Sequence, residues 1–152
     1  MTLVHHSAIC VRDVDAALSF YCDGLGLGVL MDHEFDGDWR TLFDAPSDRL
    51  RSVFLGDPAH PDTGIVELVR FDAAADDRPV PGRPASGFLL LSFFVDVDST
   101  LDRLAALGLG GAPARIQVPG PDEPVTMATV RDPDGVLVEL VGLPRRTASW
   151  AR

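Results

Sequence analysis

The sequence contains the same arrangement of segments twice. Asp13-Val14-Asp15-Ala16-Ala17-Leu18 recurs as Asp96-Val97-Asp98-Ser99-Thr100-Leu101, and each copy follows an apolar, strand-like run. Each then leads into the same tetrapeptide, Leu25-Gly26-Leu27-Gly28 in the first half and Leu107-Gly108-Leu109-Gly110 in the second. A second matched pair comes later in each half, Ile65-Val66-Glu67-Leu68-Val69 and Leu137-Val138-Glu139-Leu140-Val141. Two halves with the same order of segments imply two copies of one supersecondary unit, and this restricts the fold more than any single motif does.

The unit reads β-α-β-β-β. Leu3 to Val11 is rich in β-formers and alternates loosely, so it is predicted as a strand. Asp13 or Asp15 caps a helix whose apolar face is Ala17, Leu18, Tyr21 and Leu25, and the glycines after it stop that helix. Gly28 to Phe35, Leu50 to Leu55 and Gly64 to Phe71 supply three more strands, with Glu34 to Asp48 an irregular stretch that forms a short helix or a flap. In the second half Phe88 to Val95 is a strand and Ser99 to Leu107 a helix. Strands follow near Ala114 to Val118, Thr126 to Arg131 and Val136 to Val141, with Asp132-Pro133-Asp134-Gly135 as the turn between the last two.

The expected organisation is one α+β domain over residues 1–152, with a first module at about 1–71, a proline-rich linker at about 72–86, a second module at about 87–143 and a tail at 144–152. Each module alone is short for independent stability, so the two are expected to join around a shared cavity. The chain has 152 residues, 46% hydrophobic and 24% charged, the range of a globular domain. Its two cysteines cannot build a disulfide framework. The opening MTLVHHSAICV has no basic start and no long apolar run, and Gly87 to Val95 is too short to cross a bilayer, so a cytoplasmic chain is expected. Net charge is −10, with 13 basic and 23 acidic residues and no basic cluster, which argues against nucleic acid and membranes as partners.

Glu67 and Glu139 interrupt apolar strands at matched positions. An ionised carboxylate there is costly unless it is paired, protonated or coordinating a cation. His6 shares a strand face with Ala8 and Cys10, while His5 falls with Ser7 and Ile9. An imidazole with two equivalent glutamates makes a nitrogen and oxygen site suited to a divalent first-row metal. Counting back from the repeated Asp-Val-Asp, the counterpart of His6 is Leu89, or Leu90 if the halves slip by one residue. Neither leucine can coordinate a metal. Cys10, on the face of His6, reads as a buried, inert thiol, with a place in the cavity lining as the alternative.

The duplication, the opening HSAICVRDVDAALSFYCDGLGLGV, the mid-chain IVELVRF and the closing RDPDGVLVEL resemble the vicinal oxygen chelate superfamily. That superfamily includes glyoxalase I, methylmalonyl-CoA epimerase, extradiol dioxygenases, fosfomycin-resistance enzymes and bleomycin-binding proteins. The resemblance covers about Leu3 to Leu143 and implies two paired modules in a curved mixed sheet around a cavity. It also implies a homodimer and ligands from the first and last strand of each module, here His6, Glu67 and Glu139. The implied metal is nickel, zinc, cobalt, iron or manganese. The implied activity is a lyase or isomerase (epimerase) that stabilises an enolate on a small oxygenated substrate, with Glu139 or Glu67 as the base. The position usually held by a second histidine is Leu89 or Leu90; His5, His33 or His60 could supply a replacement ligand, although His33 and His60 read as residues of solvated strand ends or loops. The loss of that histidine argues against a dioxygenase.

The competing reading is a metal-free small-molecule binder of the bleomycin-resistance type. Trp39, Phe43, Phe54, Phe93 and Met127 would line its cavity, although Phe54 and Phe93 also suit the core. Its acidic charge would favour a cationic ligand. Three acceptable metal donors at the expected places stand against it.

Overall fold

The computed structural model describes residues 5–43, 45–73, 90–118 and 123–142. Most of the expected linker, the tail, Leu89 and the side chain of Phe43 lie outside the described residues. The chain divides into two compact units, residues 1–79 and 80–152.

Unit 1 is built from β1 (His6–Cys10), α1 (Val14–Leu18) with a π-helical continuation (Ser19–Gly24), β2 (Gly28–Asp36), α2 (Trp39–Phe43), β3 (Arg49–Gly56) and β4 (Ile65–Phe71). Its four strands form one sheet in the order β1-β4-β3-β2, with β1 parallel to β4 and the other pairs antiparallel. Unit 2 repeats the plan with β5 (Leu91–Val95), α3 (Val97–Ala106), β6 (Ala114–Val118), β7 (Val125–Arg131) and β8 (Leu137–Gly142). Its sheet order is β5-β8-β7-β6, and again only the first pair is parallel. The β-α-β-β-β reading therefore holds in both halves, with α2 the short helix within Glu34 to Asp48. α3 begins two residues earlier than its Ser99 reading, because Asp96 is the cap.

The capping logic is the same in each unit. Asp13 accepts from the backbone N–H of Asp15 and Ala16, and Asp96 accepts from that of Ser99, which satisfies donors that a helix start leaves unpaired. After each helix the chain reverses at Gly26 and Gly108, whose φ angles of +89° and +69° exclude an ordinary side chain.

One sheet face in each unit carries the core. α1 packs against β4, and Ala17, Phe20, Tyr21, Val53, Leu55 and Leu68 are fully buried. Phe20 was not on the expected helical face. The π-helical turn, with Leu25 N–H bonded to the Phe20 carbonyl, brings the consecutive residues Phe20 and Tyr21 to the buried side together. In unit 2, α3 packs against β7 and β8, where Leu104, Val138 and Leu140 are buried. Burial of each such side chain contributes about 1.5–3 kcal/mol.

Candidate functional site

Strand alternation puts Glu67 on the sheet face opposite Leu68, and Glu139 opposite Leu140. The two glutamates are thus aligned by the packing of their neighbours in the core. In unit 1 the register pairs Ala8 with Glu67 and Glu67 with Phe54. In unit 2 it pairs Ser92 with Glu139 and Glu139 with Thr129. Ser92 is therefore the counterpart of Ala8, and stepping back two residues makes Leu90 the counterpart of His6. The one-residue slip is real. Four residues lie between Ala8 and the cap Asp13, and three between Ser92 and the cap Asp96.

Glu67 is held by two side chains. His6 Nε2 lies 3.1 Å from Glu67 Oε2, and the Ser52 hydroxyl donates to Oε1 at 2.5 Å. The glutamate side chain is only 15% exposed. The other ring nitrogen of His6, Nδ1, is 2.7 Å from Nδ1 of His5. A neutral imidazole carries one proton, so a proton on His6 Nε2 facing Glu67 makes Nδ1 the acceptor of a hydrogen bond from His5. Phe54 closes the group, its ring centroid 5.3 Å from that of His6 and 6.0 Å from that of His5. His5 was expected beside Ser7 and Ile9. It instead precedes the first residue of β1, so strand alternation does not bind it and its ring packs on His6.

Glu139 has a different setting. The Ser92 hydroxyl donates to its Oε2 at 2.7 Å. No imidazole is available within unit 2, because all four histidines precede residue 61. Met127, half-buried, shares a sheet face with Glu139, whereas Phe93 pairs with the buried Leu140 on the opposite face. Among the described residues, the exposed Phe94, paired with Val141, lies on the Glu139 face. Trp39 is half-buried on α2, with its indole N–H directed at the carbonyl of Phe35. His33 packs its ring on Phe35, and His60 bonds Asp57 in the β3–β4 loop. Cys10 is exposed and not the buried thiol expected, since its face of β1 is the less covered one.

The donor pair His6 and Glu67 fits a first-row divalent ion. Two ligands with bonds of about 2.1 Å on adjacent corners of an octahedron stand about 3 Å apart, close to the spacing found. The count is smaller than the expected set. Among the described residues no three histidine, cysteine, aspartate or glutamate side chains gather as a metal cluster. His5 does not complete one, because it meets the far nitrogen of His6.

Ser52 is the site residue that the sequence reading missed. Its signal was faint, a single hydroxyl in the strand Arg49–Gly56, on the face that carries Leu50 and Phe54.

Comparison with known proteins agrees with this architecture. The family model for the glyoxalase/bleomycin resistance protein/dioxygenase superfamily matches residues 3–140. The lactoylglutathione lyase-like protein terB of Aspergillus terreus is 39% identical over 148 residues, covering 93% of this chain and 75% of that protein. A probable lactoylglutathione lyase of Synechocystis is 28% identical over 137 residues, covering 90% of this chain and 92% of its own length. The crystal structure of a glyoxalase family protein from Bacillus cereus superposes with a TM-score of 0.71 at 23% identity, covering 93% of this chain and 94% of that one. With two matched β-α-β-β-β units and a family match over nearly its whole length, this chain belongs to the glyoxalase/bleomycin resistance protein/dioxygenase, or vicinal oxygen chelate, superfamily.

Proposed function

We propose that this protein is a glyoxalase-like lyase or isomerase acting on a small substrate with neighbouring oxygen atoms. His6, Glu67 and Glu139 would hold a divalent first-row metal. The observation that carries the reading is the 3.1 Å approach of His6 Nε2 to Glu67 Oε2, a nitrogen and an oxygen donor at ligand spacing. When bound, the metal supplies Lewis-acid stabilisation of negative charge on substrate oxygen. The rest of the chemistry falls to the chain's own groups. His6 would keep its single ring proton on Nδ1, directed at His5, so that Nε2 presents its lone pair. Glu67 is restrained by Ser52 and suits the role of a fixed ligand. Among the described residues Glu139 receives a side-chain hydrogen bond at Oε2 alone, and it suits the proton transfer on carbon that interconverts such substrates. A lactoylglutathione-type thioester, as in the names of the curated relatives, is one member of this substrate class. A homodimer and a cytoplasmic location complete the proposal; no described helix is long and apolar enough to cross a membrane.

The test is elemental analysis of the purified, tag-free protein beside the His6→Ala/Glu139→Ala double variant. Near-stoichiometric metal that disappears in the variant is expected. If the wild type stays metal-free after incubation with nickel, zinc, cobalt, iron and manganese in turn, the reading fails.

A second reading has its own observation. Leu90 stands where a second ligand would be, and Phe94, Val141, Met127 and Ile116 form an unbroken apolar row across the sheet of unit 2. A metal-free binder of apolar small molecules would use such a row. That function would show as ligand-induced protection of the apoprotein with no effect of chelator.

A further inference from the structure

A glutamate on a strand has three rotatable side-chain bonds, so its carboxylate sweeps a wide arc unless something fixes it. Glu67 and Glu139 each receive one serine hydroxyl, but from opposite neighbours. Glu67 is reached by Ser52 on β3, its partner strand on one side, by a diagonal contact across the Ser52–Val69 and Phe54–Glu67 pairs. Glu139 is reached by Ser92 on β5, the strand equivalent to β1 on the other side. The matched positions are exchanged accordingly. Unit 1 has Ala8 where unit 2 has Ser92, and unit 2 has Met127 where unit 1 has Ser52. No hydroxyl therefore comes to Glu67 from β1, and that side is left to His6.

We infer that Ser52 is the positioning residue of the His6–Glu67 pair. This inference rests on the metal-site reading above for its use in function. It is independent of that reading for the geometry. Ser52 is only 2% exposed, and its hydroxyl occupies Oε1 so that Oε2 is turned toward β1 and His6 Nε2. A buried hydroxyl needs a partner, and this one has the carboxylate. A shift of the glutamate by one rotamer would move Oε2 off the imidazole, and His6 would lose the contact that selects which ring nitrogen carries its proton.

The test uses the full chain, metal-free and in alkaline buffer, with the ring nitrogens of its four histidines read by long-range proton–nitrogen NMR. His6 is assigned with a His6→Gln variant. Wild type and Ser52→Thr, which keeps the hydroxyl, are expected to show His6 in one defined tautomer protonated at Nε2. Ser52→Ala should show averaging of the two tautomers. Ala8→Ser, at an exposed position that does not threaten the fold, copies unit 2 and should disturb His6 in the same way by competing for Oε2. A cobalt titration of the same proteins should weaken about 10- to 100-fold in Ser52→Ala, with recovery in Ser52→Thr. An unchanged His6 tautomer in both Ser52→Ala and Ala8→Ser overturns the inference. If the tautomer responds as expected but the wild type binds no cobalt, the positioning role stands and the metal reading falls. If Ser52→Ala does not fold, Ala8→Ser decides alone.

Discussion

The two units share a plan and differ in what they display beside their glutamates. Next to Glu67, the cross-strand row is Cys10, Val69, Ser52 and His33, mixed and hydrogen-bonding. The matched row next to Glu139 is Phe94, Val141, Met127 and Ile116, apolar throughout. On the faces turned to the helices the last strands agree, since Leu68 and Leu140, like Val66 and Val138, are buried in both. The difference teaches that the core positions of β4 and β8 were kept while the face beside the glutamates diverged. A strand allows this because alternate side chains serve different environments. Imidazole chemistry is confined to unit 1, and unit 2 carries its one matched carboxylate beside an apolar row.

Each part of this contrast can be tested, and the largest effect belongs to unit 1. His6→Ala or Glu67→Ala should abolish metal retention and lower any lyase or isomerase turnover by about 10²- to 10⁴-fold, read by elemental analysis and steady-state kinetics. A variant of either residue with full metal and full turnover would show that the two units do not differ in the way described. The shared packing face comes next. Leu68→Ala and Leu140→Ala should each destabilise by about 2–5 kcal/mol in urea denaturation, the usual range for a buried leucine. Tolerance of one change but not the other would mean that the cores are not equivalent.

Leu90→His gives unit 2 the donor that it lacks. On the proposed metal site it should tighten retention against a competing chelator by at least about tenfold, or 1.4 kcal/mol. No change would sink the matching of Leu90 with His6. The smallest effect is on pH dependence. The Arg51 hydrogen bond holds Asp32 in unit 1 below the ordinary aspartate value, and the backbone N–H of Ser99 does the same for Asp96 in unit 2. A folded-state pKa below the unfolded one means stability present above about pH 4 and lost as pH falls through the lower, folded value. Asp96→Asn keeps a capping side chain but cannot titrate. The acid limb of the melting temperature should therefore flatten slightly in that variant, with no change near neutrality. An unaltered acid limb would remove Asp96 from the account.

Much of the fold could be read before any coordinates. The duplicated Asp-Val-Asp caps, the Leu-Gly-Leu-Gly stops and the alternating strands are local signals, and they fell close to the observed elements. The site was only half visible. His6 and Glu67 stood out as polar residues in apolar strands, whereas Ser52 lies fifteen residues from Glu67 and has no local reason to be noticed. Alternation does not place His5, because β1 begins after it, and the register puts Phe94 rather than Phe93 on the face of Glu139.

The amino-acid order alone was enough to set the number of modules, the order of their elements and the two matched carboxylates, because periodicity, capping and turn chemistry act over a few residues. The neighbours of those carboxylates came from register. Leu90 matches His6 in the repeat because the path from the matched register position to the helix cap is one residue shorter in unit 2, and Ser52 meets Glu67 because β3 and β4 pair with Phe54 beside it. Register depends on which side chains the helix and sheet bury together. That is a sum over residues distant in the chain, and no short stretch of this sequence contains it.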